Sequence, residues 1–264
     1  MCSLSWIRQG GDLHLFFNRD EQLSRPAALP PQVDTIGDTQ VLLPVDPQAG
    51  GTWISVNEYG VIVALLNSYQ DSDRLRHLKA DQPNKKPVSR GLLVRDLSVY
   101  HNVAAAHQAL QALDLSVYEP FTLFVLDRES ALKHYWNGQQ CEVTDAPPFY
   151  ASSGFDSAGV IRTRQQDFNN LSAPDMTTLR KLHYSHHHAD GAYNVCMHRE
   201  DAATRNFSAI SVTKDMITFD HTSGAPCQTE CETYYLDPQS FTSKSFTSQP
   251  LHQGAQQSNA GRAI

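Results

Sequence analysis

Met1-Cys2-Ser3-Leu4-Ser5-Trp6-Ile7, then Gly10-Gly11-Asp12, Leu13 to Phe17 and Asn18-Arg19-Asp20-Glu21, open the chain and carry its most informative pattern. Two short apolar runs flank a turn signal, so the segment reads as a β-hairpin. Folding back at Gly10-Gly11 brings the charged quartet beside Cys2. Removal of Met1 would leave Cys2 carrying both a thiol and a free α-amine. An α-amine titrates at roughly 7.7–8.0, so part of it is neutral near pH 7 and can act as a base. A nucleophile activated by its own terminal amine is one route to covalent catalysis. A neighbouring arginine favours the thiolate, and a carboxylate can hold the ammonium. Cys2 is therefore expected to be the most reactive of the five thiols. A charged quartet at a strand end is also the composition of a solvated turn, and spacing alone leaves both readings open.

Longer blocks narrow the choice. Met1-Cys2 with Phe17-Asn18-Arg19-Asp20-Glu21 and Ser24-Arg25-Pro26-Ala27 is followed by Gly50-Gly51-Thr52-Trp53-Ile54, Asn57-Glu58-Tyr59-Gly60 and Ala64-Leu65-Leu66-Asn67. Ser89-Arg90-Gly91-Leu92-Leu93 and Tyr193-Asn194-Val195-Cys196-Met197-His198-Arg199 with Thr204-Arg205 complete the set. In this order the blocks resemble the NRDE family, also called the Transport and Golgi organisation 2 family, named for the Asn-Arg-Asp-Glu quartet. The resemblance implies an α+β fold of the N-terminal-nucleophile (Ntn) hydrolase type. That fold is an αββα sandwich of two stacked antiparallel sheets between helical layers, similar to penicillin V acylases and bile salt hydrolases.

It also implies roles. Cys2 is the nucleophile and its amine the base, which then protonates the leaving amine. Arg19 holds the thiolate or the substrate carbonyl region. Asp20 or Glu21 holds the ammonium, with Asp20 favoured. In bile salt hydrolases the acidic partner lies three residues after the arginine, where this chain has Gln22. Asn67 matches the oxyanion-donating asparagine of the Ntn acylases, and equally it could simply end a strand. Ser153 stands about where those enzymes use a second asparagine, and is expected at the rim of the site. Arg205 matches a late arginine, either of the site or structural. Cys2, Arg19 and Asn67 are expected to meet at one mouth of the sandwich, with Arg205 farther out.

Elsewhere the chain reads as one domain over residues 1–237. A polar extension covers 238–264, mobile from Gln249. A loop with one short strand at Thr39 to Leu43 fills Arg25 to Gln48. Thr52 to Asn57 and Val61 to Asn67 form a hairpin, and Ser68 to Val88 an exposed loop. Ser89 to Leu97 and Asn102 to Leu113 have helical spacing. A meander runs from Phe121 to Thr144 with its turn at Asn137-Gly138. Pro147 to Ser157 is an irregular crossing. A short helix spans Asp175 to Leu182, and strands are expected at Tyr193 to Arg199, Phe207 to Thr213 and Met216 to Asp220.

The 264 residues carry a net charge of −7 and a 40% apolar fraction, which supports a core but gives no basic footprint for nucleic acid. No apolar run is long enough to span a membrane and no secretory signal precedes Cys2, so a cytoplasmic setting with free thiols is expected. His183, His186, His187 and His188 cluster near Cys196 and His198, and His183 with His187 has i, i+4 spacing. No H-E-x-x-H accompanies them, and Cys227-x-x-x-Cys231 lacks a second pair at zinc-finger spacing, so no metal is expected. The expected function is a Cys-nucleophile amidohydrolase acting on a small amide or acylated amine, without a cofactor. The alternative is a carrier of a hydrophobic ligand such as haem, to which eukaryotic members of the resembled family are linked, bound through the exposed histidines 186–188.

Overall fold

The computed structural model describes residues 1–78 and 87–238. The expected mobile end lies outside the described residues. In chain order the strands are β1 (Cys2–Gln9), β2 (Asp12–Gln22), β3 (Leu29–Ile36), β4 (Thr39–Val45), β5 (Ile54–Asn57) and β6 (Ile62–Asn67). Helices α1 (Tyr69–Leu78), α2 (Arg90–Leu97) and α3 (Val103–Gln111) follow. Next come β7 (Phe121–Leu126), β8 (Ala131–Trp136), β9 (Cys141–Asp145) and β10 (Phe149–Ser152), then α4 (Ser157–Asn169) and α5 (Met176–His183). Strands β11 (Ala202–Val212), β12 (Ile217–Thr222) and β13 (Glu232–Leu236) close the described chain.

Two antiparallel sheets result. One runs β10-β1-β2-β11-β12-β13 and the other β3-β4-β5-β6-β7-β8-β9. Period-two alternation decides what each strand buries. On β2, Leu13, Leu15 and Phe17 face the second sheet and join Ile62, Ala64, Leu66, Phe124 and Ile210 in the central core. Val63 and Leu65 of β6, with Val61 just before it, point the other way, onto Leu93, Val94 and Leu97 of α2 and Ala106 and Leu110 of α3. Both faces of β6 are thus covered, so its sequence is an unbroken apolar run. The outer face of the first sheet puts Phe16, Phe207 and Ala209 against Leu179 of α5. Phe149 and Ala151 of β10 pack on Leu182. The architecture is the expected αββα sandwich.

The structure corrects several local expectations. Leu29–Ile36 is a strand despite Pro30 and Pro31, and it sits at a sheet edge, where a missing N–H is tolerated. Ser68 to Val88 is not simply a loop, because Tyr69–Leu78 is helical. Phe149–Ser152 is a strand pairing with β1, so the Pro147 crossing is partly regular. Residues 193–199 form no strand beyond an isolated bridge from His198 to Ala203. The short helix keeps its foreseen start, since Asp175 and Thr178 form a reciprocal capping box.

Candidate active site

The hairpin register places the chemistry. Cys2 pairs with Arg19 across β1 and β2, and with Ser152 across β1 and β10. Residues directly opposite on antiparallel strands share a face. Alternation then splits the Asn-Arg-Asp-Glu quartet between the two sides of the sheet. Arg19 and Glu21 line a cleft of about 320 Å³ together with Cys2, Trp53, Asn67, Tyr69 and Arg90. Asn18 and Asp20 point instead into the helical layer. Asn18 donates to the carbonyls of His183 and Val195. The Asp20 carboxylate, fully buried, pairs with Arg164 at 2.9 Å and accepts from Thr204 at 2.6 Å.

Arg19 is held from several directions. Its Nη2 lies 3.3 Å from Glu21 and 3.4 Å from Asp46, its Nη1 donates to Asn206 at 3.4 Å, and its guanidinium stacks 4.6 Å from the Trp53 ring centroid. Arg25 shares Asp46 at 2.5 Å. Such a network fixes the guanidinium before any ligand arrives, which lowers the ordering cost of binding.

Two glycines shape the opposite wall. A Cβ on Gly51 would lie 2.4 Å from the Gly91 carbonyl carbon, while Thr52 donates its N–H to the Gly91 carbonyl at 3.1 Å. Only glycine at both places lets the start of α2, with Arg90, lie against the Thr52-Trp53 loop. The Gly-Gly-Thr-Trp and Ser-Arg-Gly-Leu-Leu blocks are thus two halves of one contact. Asn57 serves the next turn. It accepts from the Tyr59 and Val61 amides and donates to the carbonyls of Ser98 and Tyr100.

With Met1 in place, its ammonium donates to the Asp20 carbonyl at 3.1 Å and to the Tyr69 hydroxyl at 2.8 Å. The Met1 side chain is buried on Met197 and Ala202. Burial pushes the Cys2 thiol up to about 11, against the lowering influence of the terminal ammonium and Arg19. In the Met1-bearing chain desolvation outweighs both cations, so the expected reactivity of Cys2 belongs to the form in which its own amine is free. With Met1 present the exposed Cys141 and Cys231 are expected to alkylate before Cys2. Iodoacetamide labelling with peptide mapping checks this, and first labelling at Cys2 would refute it.

A scan of protein families matches residues 1–233 to the model described as Transport and Golgi organisation 2. The chain belongs to this family. No curated protein sequence matches it. Among solved structures it is similar to an N-acylethanolamine-hydrolyzing acid amidase ortholog of Caenorhabditis elegans. The TM-score is 0.54 at 11% identity, covering 80% of this chain and 92% of that one. It is also similar to a variant of the conjugated bile acid hydrolase of Clostridium perfringens. That match has a TM-score of 0.51 at 13% identity and covers 94% of this chain and 100% of the other. At these identities the likeness establishes the fold: this Transport and Golgi organisation 2 chain shares the Ntn-hydrolase sandwich.

The expected site residues are distributed unevenly in this family member. Cys2, Arg19 and Asn67 line the one cleft. Asp20 lines it too, but its carboxylate is turned away to Arg164, so only its backbone carbonyl meets the ammonium. Glu21 is the carboxylate beside Arg19. Arg205 lies outside the cleft. It sits at a bulge in β11 and donates to the carbonyls of Gln22 and Leu23, a structural tie for the loop after β2. Ser153 is buried rather than on the rim. Its hydroxyl contacts the Met1 thioether and the Phe155 carbonyl, in a cavity on the other side of Tyr69.

Sequence reading missed Tyr69, Arg164 and Asn206. Tyr69 stands between the two cavities. Burial pushes its phenol well above the usual range, as does the Cys2 thiolate charge, while a hydrogen bond from Asn67 pulls it down. The position two residues after Asn67 was the available signal. Arg164 is one polar residue in a polar helix, and only the fold shows it to be fully buried.

His183, which has i, i+4 spacing to His187 in sequence, is separated from it in the fold. It is fully buried beneath β1 and β2, with Nε2 2.9 Å from Ser5 and Nδ1 2.9 Å from Asn18. His187 and His188 meet Asp167 instead. Burial, and secondarily Arg164 and Arg180, push His183 down to about 3. The native state therefore excludes a proton that the unfolded chain binds near 6.5. Its stabilisation is complete above 6.5 and is lost as pH falls from 6.5 towards 3. Going from pH 7 to 5 should cost about 2 kcal/mol from this group. His221, lowered to about 4 by burial, acts in the same direction. Urea melts at both pH values should show a smaller pH dependence in His183→Gln, and an unchanged dependence would sink the assignment.

Proposed function

We propose that this protein is a cysteine amidohydrolase of the Ntn type, acting on a small amide or acylated amine once Met1 has been removed. The observation that carries the reading is Cys2 at the start of β1, opposite Arg19, opening on a cleft that Asn67 and Tyr69 also line.

In this reading the freed α-amine of Cys2 takes the thiol proton, directly or through a water, and the sulfur attacks the substrate carbonyl. The C–N bond breaks as the ammonium returns the proton to the leaving amine, leaving a thioester on Cys2. Water, deprotonated by the same amine, then releases the acid. The Asn67 side chain donates to the oxyanion, a contact type worth roughly 3–4 kcal/mol when preorganised. Arg19 orients the carbonyl region, and the Asp20 carbonyl and Tyr69 hydroxyl, which hold the Met1 ammonium in the Met1-bearing chain, are released from it when Met1 leaves.

The paired charges in the cleft, Arg19, Arg25 and Arg90 against Glu21, Asp46 and Glu119, suit a polar substrate. Carriage of a hydrophobic ligand such as haem is the second reading. It is favoured by the raised thiol of the Met1-bearing chain, although histidines 186–188 stand on the loop after α5 rather than in the cleft.

Intact-mass spectrometry before and after incubation with a thiol-acylating probe separates the two. The hydrolase reading expects protein lacking Met1 and a single acyl adduct mapped to Cys2. Met1-free protein that stays unmodified at Cys2 would overturn it and leave carriage.

A further inference from the structure

Three side chains that lie near one another in sequence, His186, Cys196 and His198, converge with a fourth, Cys227, that sequence spacing does not join to them. His186, Cys196 and His198 come from the loop between α5 and β11, and Cys227 from the loop between β12 and β13. One potential ligand atom from each lies within 4.8 Å of all the others. The two sulfurs are 3.5 Å apart, the Cys196 sulfur is 3.6 Å from His198 Nε2, and Cys227 is 3.2 Å from that same nitrogen. Zinc bond lengths of about 2.3 Å to sulfur and 2.0–2.1 Å to nitrogen, in a tetrahedron, put neighbouring ligand atoms roughly 3.3–3.8 Å apart. The spacing needs little adjustment to receive the ion.

The surroundings are built for it. His186 Nδ1 lies 3.1 Å from the Tyr184 carbonyl, so as a donor there it leaves Nε2 as the lone-pair atom. Such a partner is the usual way a ligating imidazole is oriented. Gly191 lets its strip of loop cross directly over the His198 carbonyl, which a Cβ would strike at 1.7 Å. The Cys196 amide donates to the Ser185 carbonyl at 2.9 Å. Cys196 is fully buried while His186 is exposed, so the cluster is anchored inside and reachable from solvent.

We propose that His186, Cys196, His198 and Cys227 form a Cys2His2 site for one zinc ion. Two thiolates and two neutral imidazoles in a tetrahedron select zinc over harder cations. Binding releases both thiol protons, and the filled site is neutral overall. The ion ties the 184–198 loop to the 223–231 loop. Met197, flanked by two ligands, is the residue on which Met1 packs. Zinc would thus brace the wall behind the start of β1.

The test is metal analysis of the purified full chain, with cobalt(II) as a spectroscopic stand-in. One equivalent of zinc is expected, as are thiolate-to-cobalt charge-transfer bands with tetrahedral visible absorption. Cys227→Ser, at a half-buried loop position, should weaken zinc affinity by about 100-fold or more and remove part of the charge-transfer intensity. His186→Asn, at the exposed ligand, should weaken it without loss of fold, and Cys141→Ser on β9 should leave stoichiometry and spectrum unchanged. Absence of metal with no cobalt bands would overturn the proposal. So would a Cys196–Cys227 disulfide in the freshly purified protein, or a cobalt spectrum and zinc affinity unchanged from the parent in both ligand variants.

Discussion

Cys2→Ala is expected to abolish amide turnover and probe acylation in Met1-free protein while leaving the fold intact. Loss of a covalent nucleophile costs on the order of 10^4-fold or more in rate, because no other group can form the thioester. The stability change should be small. Cys2 has a small side chain at the end of the central core, beside the cleft rather than under it. Rates on a panel of acylated aminocoumarins, with thermal melts of both proteins, check the two halves. Turnover within tenfold of the parent would remove Cys2 from the mechanism. A large loss of melting temperature would make the rate uninterpretable, and Cys2→Ser then serves as the closer isostere.

Arg164→Met should give the largest loss of stability. Asp20 and Arg164 are both wholly buried, 2.9 Å apart, and Arg164 also donates to Ser3 and to the Ala192 carbonyl. Removing the cation strands a carboxylate in a low-dielectric layer, at about 3–5 kcal/mol. For a chain of this size that amounts to roughly 10 °C in Tm. The double variant Asp20→Asn/Arg164→Met should recover part of the loss, since no charge is left unpaired. A single variant as stable as the parent would mean that the pair contributes nothing.

The parts of the fold legible in the sequence were those with strong local signals. Gly10-Gly11, Glu58-Tyr59-Gly60 and Asn137-Gly138 each close a foreseen hairpin, and all four of these glycines hold φ between 64° and 93°. The pairing of Cys2 with Arg19 followed directly from the first of them. What escaped was decided by tertiary context. β3 carries prolines that only an edge position excuses. α1 is polar along most of its length, and it is held by contacts such as Ser72 to the Ser68 carbonyl and Asp71 to Tyr135 rather than by an apolar stripe. At the site, the hairpin placed Arg19 beside Cys2 and the family resemblance pointed to Asn67, but neither could show that Asp20 faces away, because the parity of a strand becomes meaningful only once its buried face is known. His186, Cys196 and His198 were legible as neighbours, but the place of Cys227 beside them was hidden for a related reason. Cys227 was read against Cys231, its neighbour in sequence, whereas the fold sets it against Cys196.

The seam between Gly51 and Gly91 carries a consequence for how variation would act. Each glycine is bare because the other backbone passes within contact distance, so a Cβ on either one opens the same gap between the Thr52 loop and α2. Once the gap is open, a Cβ on the second finds room already made. Alanine at both should therefore cost clearly less than the sum of the two single alanines, a coupling characteristic of groups sharing one packing defect. In inheritance the two codons, 40 positions apart, would behave as one locus. Either change alone would be penalised, while the second, arriving on the background of the first, would be nearly silent.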